Sequence, residues 1–508
     1  MVTDSTTLGR KNSLKNSRDR IRGKQSSDSV QKPAQSRDSD RLRIAVIGSG
    51  AAGLSSAWLL SRSHNVSLFE TSDWFGGHAH TALIDTALVD TNAAKAVNKV
   101  SFTDRDDSPL SSQTLGVDTG FIVFNQQTYP NYTAWMEMLG VQTQTTDMSF
   151  AVSRNGGNYE YAGGTLSGLF AQPSNILRPR FLRMLRDIVR FYREAVKASE
   201  LSAETTLGGF LNSKGYSRSF VEDHLLPFGA AIWSTPAEQM LDYPLRSFVS
   251  FCDNHGLLKL YGRPQWRTVC GGSISYVSKV LDDIKLCGGN TSCDTNVLKV
   301  VREADCVNVV TAAGEVLRFD HVVIATHADQ ALNLIDRPSA EESNLLGAFE
   351  YAENHAVLHT DDRVMPRRRA AWSSWNYVET DNDSTASKPG VVYWMNRLQN
   401  LPEKTDYFVS LNTRSTIDPQ LILRQTNYDH PLFNYNTFAA QQSLWQLQGK
   451  HNTWYCGSYF GSGFHEDAIQ AGFAVAEQLG GVRRPWQVAN ESSRIVLPEN
   501  TQVNSSYV

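Results

Sequence analysis

The chain has no run of about eighteen consecutive apolar residues, so no segment reads as a membrane-spanning helix. Near its N-terminus there is no apolar core of the roughly 7–15 residues that a secretory signal needs. Basic charge is not in excess. Lys and Arg number 48 against 52 Asp and Glu, a formal charge of −4, so the electrostatic footprint of a nucleic-acid binder is missing and no nucleic-acid partner is expected. Cysteine is scarce as well. Cys252, Cys270, Cys287, Cys293, Cys306 and Cys456 make no C-x-x-C and no histidine pairing at ligand spacing, which predicts buried thiols in a reducing compartment, with neither metal nor disulfide. A cytoplasmic location is the expectation, with a mitochondrial one as the weaker alternative.

Residues 1–40 carry almost no large apolar side chains and are crowded with Ser, Asn, Arg, Lys and Asp. They cannot bury enough surface to offset the entropy of ordering, and a disordered segment is expected. The acids Asp4, Asp19, Asp28, Asp38 and Asp40 count against a transit peptide.

What is present is organised around residues 42–77, LRIAVIGSGAAGLSSAWLLSRSHNVSLFETSDWFGG. An apolar, β-branched run at 44–47 suits a strand buried on both faces. Gly48, Gly50 and Gly53 then spell G-x-G-x-x-G. The first permits a tight turn, the second lets backbone approach a pyrophosphate, and the third lets the following helix lie against the strand. Ala51 and Ala52 open that helix, whose free N–H groups and positive dipole end would face an anion. A second apolar strand ends at Glu70, twenty residues after Gly50, where a carboxylate can accept both hydroxyl hydrogens of an adenosine ribose.

Further along, residues 87–112 look like a polar insertion in a hairpin, since alternating apolar residues resume on both sides. Residues 130–250 turn mostly helical. The helix expected over 179–197 carries an apolar face flanked by Arg183, Arg186, Arg190 and Arg193, either a solvated flank or a surface for an anionic membrane or an acyl carboxylate. Residues 224–236, HLLPFGAAIWSTP, read as helix breaks around Ile232-Trp233, suited to an apolar pocket wall or a packed turn. Gly271-Gly272 repeats, weakly, a glycine turn ahead of a helix. Strands at 297–301, 306–311 and 315–319 form an expected meander, and 322–325 should return to the parallel sheet. His327 and Asp329 read as a loop and helix cap. Arg367-Arg368-Arg369 reads as a solvated run rather than a phosphate clamp, and Asn396 as an amide that could end over a cofactor ring. At 452–479 a strand leads into a glycine loop and then a helix, with Asp467 expected as N-cap and Ala468, Gly472 and Ala476 forming a smooth side.

Gly76-Gly77, six residues past Glu70, resembles the extended fingerprint of the amine oxidase, phytoene desaturase and protoporphyrinogen oxidase group, which implies FAD rather than NAD. Together VIGSGAAGLSSAWLL, VDTGFIVFN, PFGAAIWSTP, VIATHADQAL, YWMNRLQ and GSYFGSGFHEDAIQAG resemble the FAD-dependent amine-oxidase-like family, over about residues 42–480. Some of its members accompany cyclopropane-fatty-acid-synthase-like methyltransferases. The resemblance implies an α/β fold, with a Rossmann-like FAD-binding domain and a discontinuous, largely helical α+β substrate domain, as in amine oxidases and glutathione reductase. The expected division is a disordered 1–40, FAD-binding parts at 41–125, 251–335 and 431–480, substrate-domain parts at 126–250 and 336–430, and a tail at 481–508.

By the same resemblance Thr119, in VDTGF, passes near the flavin ring and Ala325-Thr326 sits beside the FAD. Gly457 and Ser458 hold the position where the family often has Gly-Asp. No cysteine occupies the site of covalent flavin attachment, so noncovalent FAD is expected. The second helix start can face the flavin pyrimidine edge, with His465 and Glu466 the titratable candidates for tuning or deprotonation and Tyr459 and Trp233 shaping the pocket. The residues and the resemblance are compatible with three functions. They are an FAD-dependent desaturase or oxidase acting on an acyl chain or other apolar, lipid-like small molecule, an amine oxidase, and a noncatalytic flavin-binding partner. Peripheral membrane contact is an expectation from the arginine flank.

Overall fold

A computed structural model describes residues 41–86, 89, 114–198, 205–233, 239–259, 262–379, 390–402, 404–413 and 415–498. The segment expected to be disordered, 1–40, and all but residue 89 of the 87–112 insertion lie outside the described residues.

Five parallel strands form the central sheet: β1 (Arg43–Ile47), β2 (Asn65–Phe69), β3 (Asn290–Ser292), β4 (His321–Ile324) and β5 (Thr453–Tyr455), in the order β3-β2-β1-β4-β5. Ile44, Val46, Leu68, Val322 and Ile324 are fully buried, as strands covered on both faces require. Helix α1 (Ala51–Leu60) is buried along all ten residues, which explains its lack of a polar face. Helix α2 (His465–Gly480) packs against it. A Cβ on Gly472 would stand 2.1 Å from Ser55 Oγ and 2.3 Å from Ala52 O, so the side of α2 predicted to be smooth is the one turned to α1.

The strand order reverses between β1 and β4, and the ends there are level. Ile47 pairs with Ile324, and Ile324 with Tyr455. Gly48, Ala325 and Cys456 therefore leave the sheet side by side, at the crevice where open α/β sheets bind ligands.

The predicted meander forms from Val297–Arg302, Val307–Thr311 and Val316–Phe319. Thr81–Asp85 pairs antiparallel with Thr114–Asp118, so the insertion joins the two arms of a hairpin. A second, seven-stranded sheet runs from Ile422–Leu432 through Glu350–His359, Phe408–Leu411, Val391–Trp394, Trp375–Val378 and Phe150–Arg154 to Tyr159–Ala162. The last two strands lie in a region expected to be mostly helical. Their long-range partner is Trp375–Val378, parallel to Phe150–Arg154, which local periodicity does not reveal. Helices Pro179–Ala198, Leu207–Ser213 and Leu245–Asn254 enclose a separate core around Phe191, Phe210, Phe220 and Phe248.

Four local expectations are corrected. Residues 218–233 run as continuous helix through Pro227 and Gly229, because a π turn over Val221–Leu225 accommodates the proline ring that an α turn would clash with. The described part of the tail, residues 481–498, folds back on the domain. There Arg484 is 2 % exposed and bonds Glu477 (2.8 and 2.9 Å) and Asn131 (2.9 Å). Asn396 is engaged by the segment leading into Phe408–Leu411, donating to Thr405 O and accepting from Tyr407 N. The arginine run is neither wholly solvated nor a phosphate clamp, since Arg368 pairs with buried Glu160 and Arg369 with Asp406.

Candidate functional site

The glycine loop follows β1 as its sequence requires. Gly48 has φ +96°, and a Cβ there would meet Ala325 O at 2.9 Å. At Gly53 a Cβ would fall 1.8 Å from Gly48 O, so helix and loop touch through that missing side chain, with small Ala325 filling the space beside it. Gly50 differs. Its φ is an ordinary −62° and no protein atom lies within 4 Å of an added Cβ. Packing does not call for glycine there, and the open space belongs to the cavity. No side chain caps α1 and no acid stands in its first turn, so its N–H groups face the cavity uncompensated.

Glu70 follows β2. Its Oε2 accepts from Ser49 N (2.9 Å) and Ser49 Oγ (2.6 Å), and its Oε1 accepts from Ser72 N (2.9 Å). The Ser49 hydroxyl in turn accepts from Gly76 N at 3.1 Å. One serine thus fastens the glycine loop, the acid and the Gly76-Gly77 turn, where Gly76 has φ +113° and Gly77 comes within 3.1 Å of Gly50 Cα as a would-be Cβ. Sequence reading missed Ser49, though its place between the two turn glycines was visible.

These groups line a cavity of about 810 Å³. One end runs over the sheet, past Gly48, Gly50, Ala51, Ala52, Glu70 and Gly77, and is closed by Thr295–Leu298 and Gln330. The other end lies under the seven-stranded sheet, between Thr119, Tyr428, Tyr459 and His465. Gly76, Ala325, Thr326, Gly457, Ser458 and Ala468 complete the contact between the two.

The second end is rich in rings held neutral. His465, the first residue of α2, stacks on Phe121 (centroids 3.8 Å apart, 7° between planes) and shares a 2.9 Å hydrogen bond with Tyr276 Oη. Burial pulls its pKa down to about 3. His78 is pushed well below the ordinary value by burial, then by His430 and His327 nearby, and its ring lies 4.9 Å from that of Tyr428. Thr119 Oγ1 is 2.6 Å from Tyr428 Oη and 2.7 Å from His80 Nδ1, and burial lowers His80 to about 3. The Tyr459 hydroxyl is buried without a protein partner.

Not every expected residue reaches the cavity. Glu466 is turned away. It accepts from Asn131 N (3.1 Å), Asn131 Nδ2 (2.8 Å), Tyr132 N (3.0 Å) and Gln470 Nε2 (3.1 Å), so it caps the helix Pro130–Met138, and the chemical role expected of it is corrected to a structural one. Asp467 is not the N-cap, which is Phe464. It sits in the first turn and accepts from Ser462 N (2.9 Å) and Phe464 N (2.8 Å), bracing the loop before α2. Trp233 ends the helix Leu226–Trp233 and its side chain lies outside the described set, whereas its neighbour Ile232 lines the cavity. His78 and Tyr428 were missed, because nothing in their local sequence marks residues that meet only across two sheets.

The parallel sheet, the uncapped helix start, the vacant Gly50 position and the ribose-height acid define a dinucleotide-binding protein of the two-domain flavoprotein class. The chain belongs to the flavin containing amine oxidoreductase family, whose model matches residues 51–404. It is therefore an FAD-dependent oxidoreductase. No curated protein sequence matches it. Its fold is similar to that of a putative protoporphyrinogen oxidase from Exiguobacterium sp. 255-15 (TM-score 0.58, 12% identity, covering 86% of this chain and 98% of that one). The CLA-producing fatty acid isomerase from P. acnes (0.57, 14%, 86% and 98%) and cyclohexylamine oxidase from Brevibacterium oxydans IH-35A (0.57, 13%, 86% and 99%) are similar too.

The residues present fit FAD. Gly50 leaves room for a phosphate bridge against bare helix N–H groups, Glu70 stands where a ribose would be held, and the start of α2 faces the far end. None of the cysteines lines the cavity among the described residues, and Cys456 is buried with its thiol against Ala52 O.

Proposed function

We propose that the protein is an oxidase or desaturase that removes hydride from a carbon of an apolar, uncharged substrate, fatty-acyl or lipid-like in character. Bound FAD supplies the hydride acceptor. The chain's own part is to hold the substrate, orient it and keep water out.

The observation that carries this reading is the charge of the cavity wall. Among the described residues no Lys or Arg lines it, and its carboxylates are Glu70 and Asp429. Glu70 already serves the glycine loop. A free carboxylate would meet no Lys or Arg among the described residues, and His78, His327 and His465 are held neutral by burial. Ile232, Tyr393, Leu411, Phe433 and Phe464 supply an apolar wall suited to a chain presented as an ester, amide or alkene.

Asp429 favours a second reading, an amine oxidase in which this carboxylate pairs with a substrate ammonium. Anaerobic mixing of the holoprotein with acyl esters and with alkylamines separates the two. Bleaching of the oxidised flavin band by the esters, unaffected by Asp429→Asn, supports the first. Bleaching by amines alone, lost in Asp429→Asn, overturns it in favour of the second.

A further inference from the structure

A cationic surface studded with apolar side chains lies far in sequence from the glycine loop. Between residues 166 and 197 the chain has six arginines and one lysine against two carboxylates, Asp187 and Glu194, although the whole protein is acidic at −4. Four large apolar side chains stand exposed in the same stretch: Leu166 (78 %), Ile176 (55 %), Leu177 (83 %) and Leu182 (47 %). Isolated exposed leucines need no explanation, but four within seventeen residues beside a cationic helix face do.

The helix Pro179–Ala198 sorts its residues by side. Phe181, Met184, Phe191 and Ala195 are fully buried and share one face. At 100° per residue, Leu182, Arg183, Arg186, Arg193 and Lys197 fall on the opposite face, and all five are exposed. The two carboxylates offset part of it. Buried Asp187 pairs with Arg186 at 2.9 Å, leaving that guanidinium 65 % exposed, and also accepts from Ser217 N, while Glu194 is paired with Arg190. Arg180 is drawn sideways onto Glu222 and Asp223. Among the described residues Arg183 reaches only Pro179 O. Ile176 and Leu177 sit just before the start of this helix, one turn from Leu182, at the end of the short 3-10 segment Pro173–Leu177.

We propose that this face docks on an anionic phospholipid surface, with Ile176, Leu177 and Leu182 entering the acyl boundary and Arg183, Arg186 and Arg193 meeting headgroup phosphates. Apolar side chains clustered at one end of a helix whose outer face is otherwise cationic are what an interfacial helix requires, and a cationic rim specifies the sign of the surface. A second copy of this chain would bring the same positive face against itself, which charge disfavours. The inference stands without the acyl reading of the cavity, because it concerns binding and not turnover.

Flotation of the holoprotein with vesicles of phosphatidylglycerol and phosphatidylcholine in equal parts, against phosphatidylcholine alone, tests it. Binding is expected only to the first and should weaken as salt rises. Leu177→Glu with Leu182→Glu should lower partitioning more than tenfold while flavin absorbance and melting temperature stay as in the parent. Arg183→Gln and Arg186→Gln should each lower it about fivefold. Equal binding to both vesicle types, no binding to either, or binding unchanged in these variants overturns the proposal. So does a parent dimer in light scattering that Leu177→Glu converts to monomer, which would make the face a contact between copies.

Discussion

Ser49 donates its hydroxyl to Glu70 at 2.6 Å while its own backbone N–H donates to the same carboxylate oxygen at 2.9 Å. The acid is thereby fixed at ribose height before any nucleotide arrives, and its remaining lone pairs stay available. Glu70→Gln keeps the shape but loses the charge-assisted bonds, which are worth about 1.5–3 kcal/mol each when a charged group takes part. FAD affinity should fall roughly 10- to 100-fold, read as quenching of flavin fluorescence on titration into the apoprotein. Ser49→Ala should cost about 1 kcal/mol, near fivefold, because Glu70 still accepts from the backbone. Equal affinity in Glu70→Gln and parent would remove Glu70 from the FAD site.

Gly50 and Gly53 lie three residues apart in one motif and answer to different constraints. An added methyl at 50 meets no protein atom within 4 Å, whereas at 53 it would collide with Gly48 O at 1.8 Å. Gly50→Val should fold with nearly the parent melting temperature and fail to hold FAD, since its side chain occupies the cavity. Gly53→Val should be expressed insoluble or unfolded, because loop and helix cannot separate without moving β1. Circular dichroism and the flavin-to-protein absorbance ratio read the two effects separately. A Gly50→Val protein that keeps its flavin would show that the open space is not the cofactor's.

The parts of this site legible in sequence are those whose partners are close along the chain. The turn glycines, the helix they start and the acid at the end of β2 all lie within residues 42–77 and carry a local signature. The meander was legible for the same reason, since alternation and Gly314 are local. The outer sheet was not. Phe150–Arg154 pairs with a strand more than two hundred residues away, and Tyr428 meets Thr119 only after both sheets close. Glu466 illustrates the opposite failure. Next to His465 at a helix start it looks chemical, and only the fold discloses that a second helix start lies against it and takes up its carboxylate.

Asp118 gives the stability of the fold a defined pH dependence. It is fully buried in a cluster with Thr81 Oγ1 (2.5 Å), Ser273 N (2.8 Å) and Gln399 Nε2 (3.1 Å), and burial raises its pKa from 3.8 to about 7 despite those donors. The folded protein therefore keeps a proton that the unfolded chain releases between about pH 4 and pH 7. Its contribution to stability is full below the unfolded value, declines as pH rises toward 7 and is constant above. The span corresponds to about 4 kcal/mol at about 1.4 kcal/mol per pH unit. Asp118→Asn cannot ionise, so urea unfolding of variant and parent at about pH 5 and about pH 8 should differ in slope. The parent should lose roughly 2–3 kcal/mol more than the variant between the two, the part of the span that lies above about pH 5. Parallel pH profiles would mean that Asp118 is ionised alike in both states.

Glu466 separates the structural reading from the chemical one most sharply. Its two oxygens accept four hydrogen bonds, three of them from Asn131 and Tyr132 at the start of the helix Pro130–Met138. Glu466→Gln turns one acceptor oxygen into a donor amide, which then faces a backbone N–H with no room for water. One buried donor is left unsatisfied, at a cost of about 1–3 kcal/mol. Melting temperature should drop while the flavin remains bound and the anaerobic rate of flavin bleaching with a turnover substrate stays within about twofold. A general acid or base in this position would instead give a rate loss of roughly 10²–10⁴ with little change in melting temperature. Because Glu466 lies outside the cavity and its oxygens are committed to Asn131, Tyr132 and Gln470, we expect the first pattern, with thermal melting and stopped-flow absorbance as the paired measurements.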